Sequence, residues 1–187
     1  MLKIAYHPIY KHPLPEGHRF PMAKYELLPE QLLHEGTCTE AHFFEPEIPN
    51  DKFILAVHDP EYYYDLVNIT LDQRAARKIG FPLSETLVER EVIIADGSMK
   101  AAVYALKHGI AMNIAGGTHH AYTNRGEAFC LLNVTKDQMS CFCRAYVTWY
   151  RYTLSYSQKW PMLLLCSCSC SCSCLRLFSC THTQFYF

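Results

Sequence analysis

The chain opens with a short apolar run, LKIAY (2–6), followed by the turn-rich HPIYKHPLPEGH (7–18), which predicts a buried strand and then a loop. In FPMAKYELLPEQLLHEG (20–36), Met22, Tyr25, Leu28, Leu32 and Leu33 fall at helical spacing and Gly36 is placed to end the helix. Pro29 is expected to divide this stretch into two helices, because its ring removes a ladder bond and crowds the preceding turn. AHFFEP (41–46) and FILAVHD (53–59) read as strands. PEYYYDLVNI (60–69) reads as a helix with Pro60 in its first turn, where the missing N–H costs nothing.

The longest helical pattern is TLVEREVIIADGSMKAAVYALKHG (86–109). Thr86 and Glu89 have capping-box spacing, Lys107, His108 and Gly109 suit its end, and Gly97 with Ser98 is expected to bend it. IAMNIAG (110–116) then follows as a nearly unbroken apolar strand, the pattern of a parallel strand covered on both faces. Strand, helix and strand in succession predict an α/β three-layer architecture, with any site on loops at the carboxyl ends of the strands.

This patterning stops at Asn133. Of the ten cysteines in the 187 residues, only Cys38 and Cys130 precede Val134, whereas the rest of the chain holds a single acidic residue, Asp137. The chain therefore divides into 1–133 and a compositionally unrelated 134–187. Repeated Cys-Ser and scattered aromatics in the second part give no sustained period of 2 or 3.6, so it is expected to be disordered, with at most a local apolar turn at LLLC. Every valine codon begins with the two bases of a usual splice donor, so Val134 is read as the start of sequence translated outside the proper exon.

Charge and composition exclude several roles. A formal net charge of −1 and scattered Lys and Arg give no basic face, so no direct nucleic-acid contact is expected. The N-terminus lacks a signal-peptide run, and no membrane association is expected, which predicts a cytoplasmic or nuclear protein. The CSCSCSCSC run is too local to be a disulfide framework; as a thiolate metal-binding tail it is the weakest of the functional readings.

The candidate chemistry lies in AGGTHHAYTNRGEAFCLLN (115–133). Taken alone, Gly116 and Gly117 form a turn, Phe129 is a core aromatic and Cys130 a small buried hydrophobe. His119 and His120 lack the spacing of common zinc ligands, but imidazole is the side chain best matched to proton transfer near neutral pH. Together, GGTHHA and EAFCLLN resemble the histone deacetylase family, which carries Gly-Gly, His-His and a G-F-C-x-x-N-D segment at this spacing. HRFPMAKYELL, VHDPEYYYDL and GFPLSETLVERE resemble its class IV and bacterial branch, and the likeness runs from about Leu2 to Asn133.

That resemblance implies a parallel-sheet arginase/deacetylase-like fold, here truncated, and zinc-dependent removal of acetyl groups from a lysine side chain of a protein or from an acetylated small amine. It implies that His119 is the general base or the electrostatic partner of the attacking water, that His120 protonates the leaving amine, that Phe129 and Gly117 line the substrate channel, and that Arg19 borders the cavity through which acetate departs. Ala128 stands where many members have glycine. The family's zinc ligands, a D-x-H segment and a second Asp, follow after the position of Asn133, as does its oxyanion-stabilising Tyr. None follows here, since the remaining chain has only Asp137 and His182 as an acid and a histidine, so this chain is expected to have no metal ligands and to bind no zinc. Two readings remain: an inactive portion of a deacetylase, or a non-catalytic interaction fragment.

Overall fold

The computed structural model describes residues 1–134 and the backbone of two later strands, Pro161–Ser167 and Ser173–Ser179. Strand β1 (Lys3–Ala5) leads through a 3₁₀ turn at Pro8–Tyr10 to α1 (Lys24–His34). Then come β2 (Phe43–Phe44), α2 (Asp51–Ile54), α3 (Pro60–Val67), α4 (Gln73–Ile79), α5 (Glu85–His108) and β3 (Ile110–Asn113). The two later strands are β4 and β5, and the sheet order is β2-β1-β3-β5-β4.

β1 is the centre of the parallel part, pairing Ile4 with Phe43 on one side and with Met112 on the other. This is the expected α/β arrangement of a parallel sheet packed with helices. Among the described residues no helix is long and apolar enough to cross a membrane.

Helix α5 joins sheet to site. The Ser84 hydroxyl accepts the Leu87 N–H at 3.2 Å to start it, and Gly109, at φ 86°, ends it in the left-handed conformation that glycine adopts without a Cβ penalty. Its middle lies flat on the sheet because Gly97 has no side chain. A Cβ there would stand 2.6 Å from the Tyr10 hydroxyl, 3.0 Å from Asn113 Nδ2 and 3.2 Å from the Ala5 Cβ.

Several expectations are corrected. The cap of α5 is Ser84, two residues before Thr86. FILAVHD is no strand: the Asn50 side chain accepts the Lys52 N–H and starts α2, which buries Ile54. α1 is one helix, within which the buried ring of Pro29 replaces a ladder bond with packing. α4, capped by Asp72 and ended by Gly80 at φ 84°, has no counterpart in the sequence reading.

Within 134–187, where disorder is expected, the backbone of two segments is described as strands. β4 and β5 are antiparallel, and β5 lies antiparallel on β3, with Ala111 opposite Leu175. The edge of β3 offers unpaired N–H and C=O groups that any extended segment can satisfy, whatever its side-chain pattern. The expectation otherwise falls on 135–160, 168–172 and 180–187, outside the described residues.

Candidate active site

The loop bearing the histidine pair leaves the end of β3 and is tied to α5 at its root. Asn113 Nδ2 donates to the Ile94 carbonyl at 2.9 Å and to the Ser98 hydroxyl at 2.8 Å, while its Oδ1 accepts the Ala115 N–H at 3.2 Å. The chain turns at Gly117, φ 89°. His119 Nδ1 stands 2.8 Å from the Gly117 carbonyl, which can only accept, so Nδ1 carries the proton of the neutral ring. Its Nε2 is left with a lone pair. The His120 ring lies 4.3 Å from that of His119, and both side chains are exposed.

The second element is the turn 126–130. Glu127 and Cys130 exchange backbone hydrogen bonds at 3.1 and 3.0 Å across Ala128 and Phe129, which take φ values of 49° and 65°. Two consecutive left-handed residues, neither a glycine, store strain of about 1–2 kcal/mol each. The turn holds because the Ala128 and Phe129 N–H groups donate to the carbonyls of Lys78 and Ile79 at 3.1 and 2.7 Å. Gly126 is also required: a Cβ there would stand 2.5 Å from the Cys130 carbonyl oxygen.

The Phe129 ring is thereby packed among Phe20 and Phe81, with centroids 5.1 and 4.9 Å away. A Cβ on Gly80 would come within 3.1 Å of it. The Arg19 guanidinium lies 4.8 Å above its face, so two residues singled out separately in the sequence, 110 positions apart, are in contact. Behind the histidine pair sits the buried Cys130, whose thiol is pushed up to about 11 by burial even though the backbone N–H groups of His120 and His119 point at it. It is protonated at neutral pH and no nucleophile.

Three supports gave no functional signal in the sequence. His58 is buried and contacts both ends of the 123–133 segment, at Thr123 and Asn133. The buried Arg90 donates to the Tyr10 carbonyl at 2.7 Å and pairs with the equally buried Glu91, whose carboxyl burial raises against the opposing pull of Arg90 and the Leu131 N–H. The Tyr62 hydroxyl donates to the Leu131 carbonyl at 2.9 Å. His58 lies within the VHDPEYYYDL segment, yet nothing local to that segment reveals partners so distant in sequence.

Among the described residues no three His, Cys, Asp or Glu come together as a metal site, so the side chains described there do not fit the zinc that the sequence resemblance implies.

The sequence profile of the histone deacetylase domain matches residues 18–136. An uncharacterized protein of Picosynechococcus sp. is 42% identical over 130 residues, covering 70% of this chain and 43% of that protein. Histone deacetylase 2 of Arabidopsis thaliana is 30% identical over 121 residues, covering 60% of this chain and 31% of its own. The crystal structure of a histone deacetylase homologue from Aquifex aeolicus superposes with a TM-score of 0.63 at 20% identity, over 78% of this chain and 41% of that one, which shows the shared fold. The chain spans less than half the length of these relatives. With the profile covering well over half of its residues, the chain belongs to the histone deacetylase family.

Proposed function

We propose that this chain carries the proton-transfer pair and one wall of the acyl-lysine channel of a zinc-dependent deacetylase, and that by itself it does not turn over acetyl-lysine. The substrate class is an acetylated lysine of a protein or an acetylated small amine. The observation carrying the reading is the Gly117 carbonyl bonded to His119 Nδ1, which leaves Nε2 as a proton acceptor beside a second imidazole. His119 takes the proton of the attacking water, and His120 gives one to the departing amine. Phe129 and Gly117 flank the substrate stem, and Arg19, which lies over the Phe129 ring, borders the cavity through which acetate departs.

Inactivity follows from the size of what is missing. In this family zinc lowers the pKa of its water from about 15.7 to near 7, and at ~1.4 kcal/mol per unit that is on the order of 10 kcal/mol of nucleophile activation. General acid and base catalysis supplies roughly 10²–10⁴-fold, or ~3–5 kcal/mol, and does not make up the difference. The test is an acetyl-lysine peptide assay on the purified chain with and without added zinc, beside a version continued with a complete family C-terminal region. Turnover only by the continued version is expected. Zinc-dependent turnover by the 187-residue chain, abolished by His119→Ala and by a chelator, would overturn the reading.

A further inference from the structure

His58 is held from both directions along the chain. Its N–H donates to the Ile54 carbonyl at 2.9 Å at the end of α2, and the next residue, Asp59, caps α3. The ring is therefore delivered to a fixed place, and it is 2% exposed. Nδ1 lies 3.1 Å from the Thr123 carbonyl oxygen, and Nε2 receives the Asn133 backbone N–H at 3.0 Å. A carbonyl only accepts and an amide N–H only donates, so one protonation state satisfies both contacts: hydrogen on Nδ1 and a lone pair on Nε2. The opposite tautomer sets lone pair against lone pair and N–H against N–H, and a doubly protonated ring sets N–H against N–H at Asn133.

These contacts converge on the histidine loop. The Thr123 carbonyl also accepts the Asp59 N–H at 2.9 Å, so it is gripped twice. Asn133, placed by His58, donates from Nδ2 to the carbonyl of Ala121 at 2.6 Å, and Ala121 directly follows His120. We propose that His58 is a positioning residue: held as the Nδ1–H tautomer, it ties Thr123 to Asn133 and thereby fixes the loop that presents His119 and His120. Its ring nitrogens meet backbone groups of Thr123 and Asn133, so its hold on the loop is exerted through the backbone. The functional weight of this placement rests on the reading of His119 and His120 as the proton-transfer pair.

The experiment is nitrogen-15 NMR of the histidine rings in the whole chain at neutral pH, with His58→Gln and His58→Phe alongside. The expected His58 spectrum is that of a neutral ring protonated at Nδ1 and bare at Nε2. Gln, with an amide oxygen to accept from Asn133 and an amide N–H to donate to Thr123, should leave the His119 and His120 signals in place. Phe should move both and speed exchange of the Asn133 amide by about tenfold, the loss of one buried hydrogen bond. A ring protonated at Nε2, a Gln variant with displaced His119 and His120 signals, or a Phe variant with neither change overturns the proposal. Should the Phe variant fail to fold, the wild-type tautomer and the Gln variant decide. No arm measures turnover, so failure of the deacetylase reading and failure of the positioning role are told apart.

Discussion

Replacing Gly97 with alanine sets two rules against each other. Glycine inside a helix is worse than alanine by about 1 kcal/mol, so helix propensity alone predicts that Gly97→Ala stabilises α5. The structure predicts the opposite sign. The new methyl would lie 2.6 Å from the Tyr10 hydroxyl and 3.0 Å from Asn113 Nδ2, with the Ala5 Cβ behind at 3.2 Å. Tyr10 and Ala5 are fully buried and Asn113 is 1% exposed with its amide bonded at both ends, so none can step aside freely. Overpacking of this kind costs about 1–3 kcal/mol, and loosening one Asn113 hydrogen bond adds about 1 kcal/mol. After the propensity gain is subtracted, a net loss of roughly 2 kcal/mol remains. Urea unfolding followed by far-ultraviolet circular dichroism measures it, and amide exchange at Ala115 reports whether the root of the histidine loop has moved. A variant as stable as the parent, with unchanged exchange at Ala115, would refute the claim that α5 and β3 touch through this glycine.

Ala128→Gly should stabilise the chain by about 0.5–1 kcal/mol in the same unfolding assay, because relief of the left-handed strain outweighs the extra freedom glycine brings to the unfolded state. His12 is expected to weaken the fold in acid. Burial, with Arg90 and His18 adding to it, lowers its pKa from 6.5 to about 4, so the unfolded chain takes up its proton first. The stability it contributes is complete above pH 6.5 and is lost as pH falls toward about 4. His12→Phe should flatten the fall in unfolding free energy over that window, and an equally steep fall in the variant would count against the assignment.

What the sequence disclosed was local. The apolar run at 110–113, Pro60 at a helix start and Gly109 at a helix end each carry their structural reason within a few residues, and each was legible. FILAVHD was misread because a short apolar run has no period long enough to separate a strand from one turn of helix. Ser84 was missed as a cap because Thr86 with Glu89 offers the same pattern two residues later. In the site, the paired glycines, the histidines and the Phe-Cys turn were visible as adjacent letters. The grip of His58 on Thr123 and Asn133 spans 65 and 75 residues, and the Arg19 contact with Phe129 spans 110; such pairings exist only once the sheet has brought the loops together.

The turn that holds Phe129 has a second duty. The carbonyls of Lys78 and Ile79 belong to the last turn of α4, where a helix has no amides of its own left to offer, and they are met by the N–H groups of Ala128 and Phe129. The turn that carries Phe129 is thus the cap of a helix fifty residues earlier in the chain. Straightening of the turn strips the helix of its closing bonds, and fraying of the helix removes what keeps two strained residues left-handed. Opening of the turn and fraying of α4 are therefore coupled, so the placing of the Phe129 ring depends in part on the stability of a seven-residue helix that lies far from it in sequence.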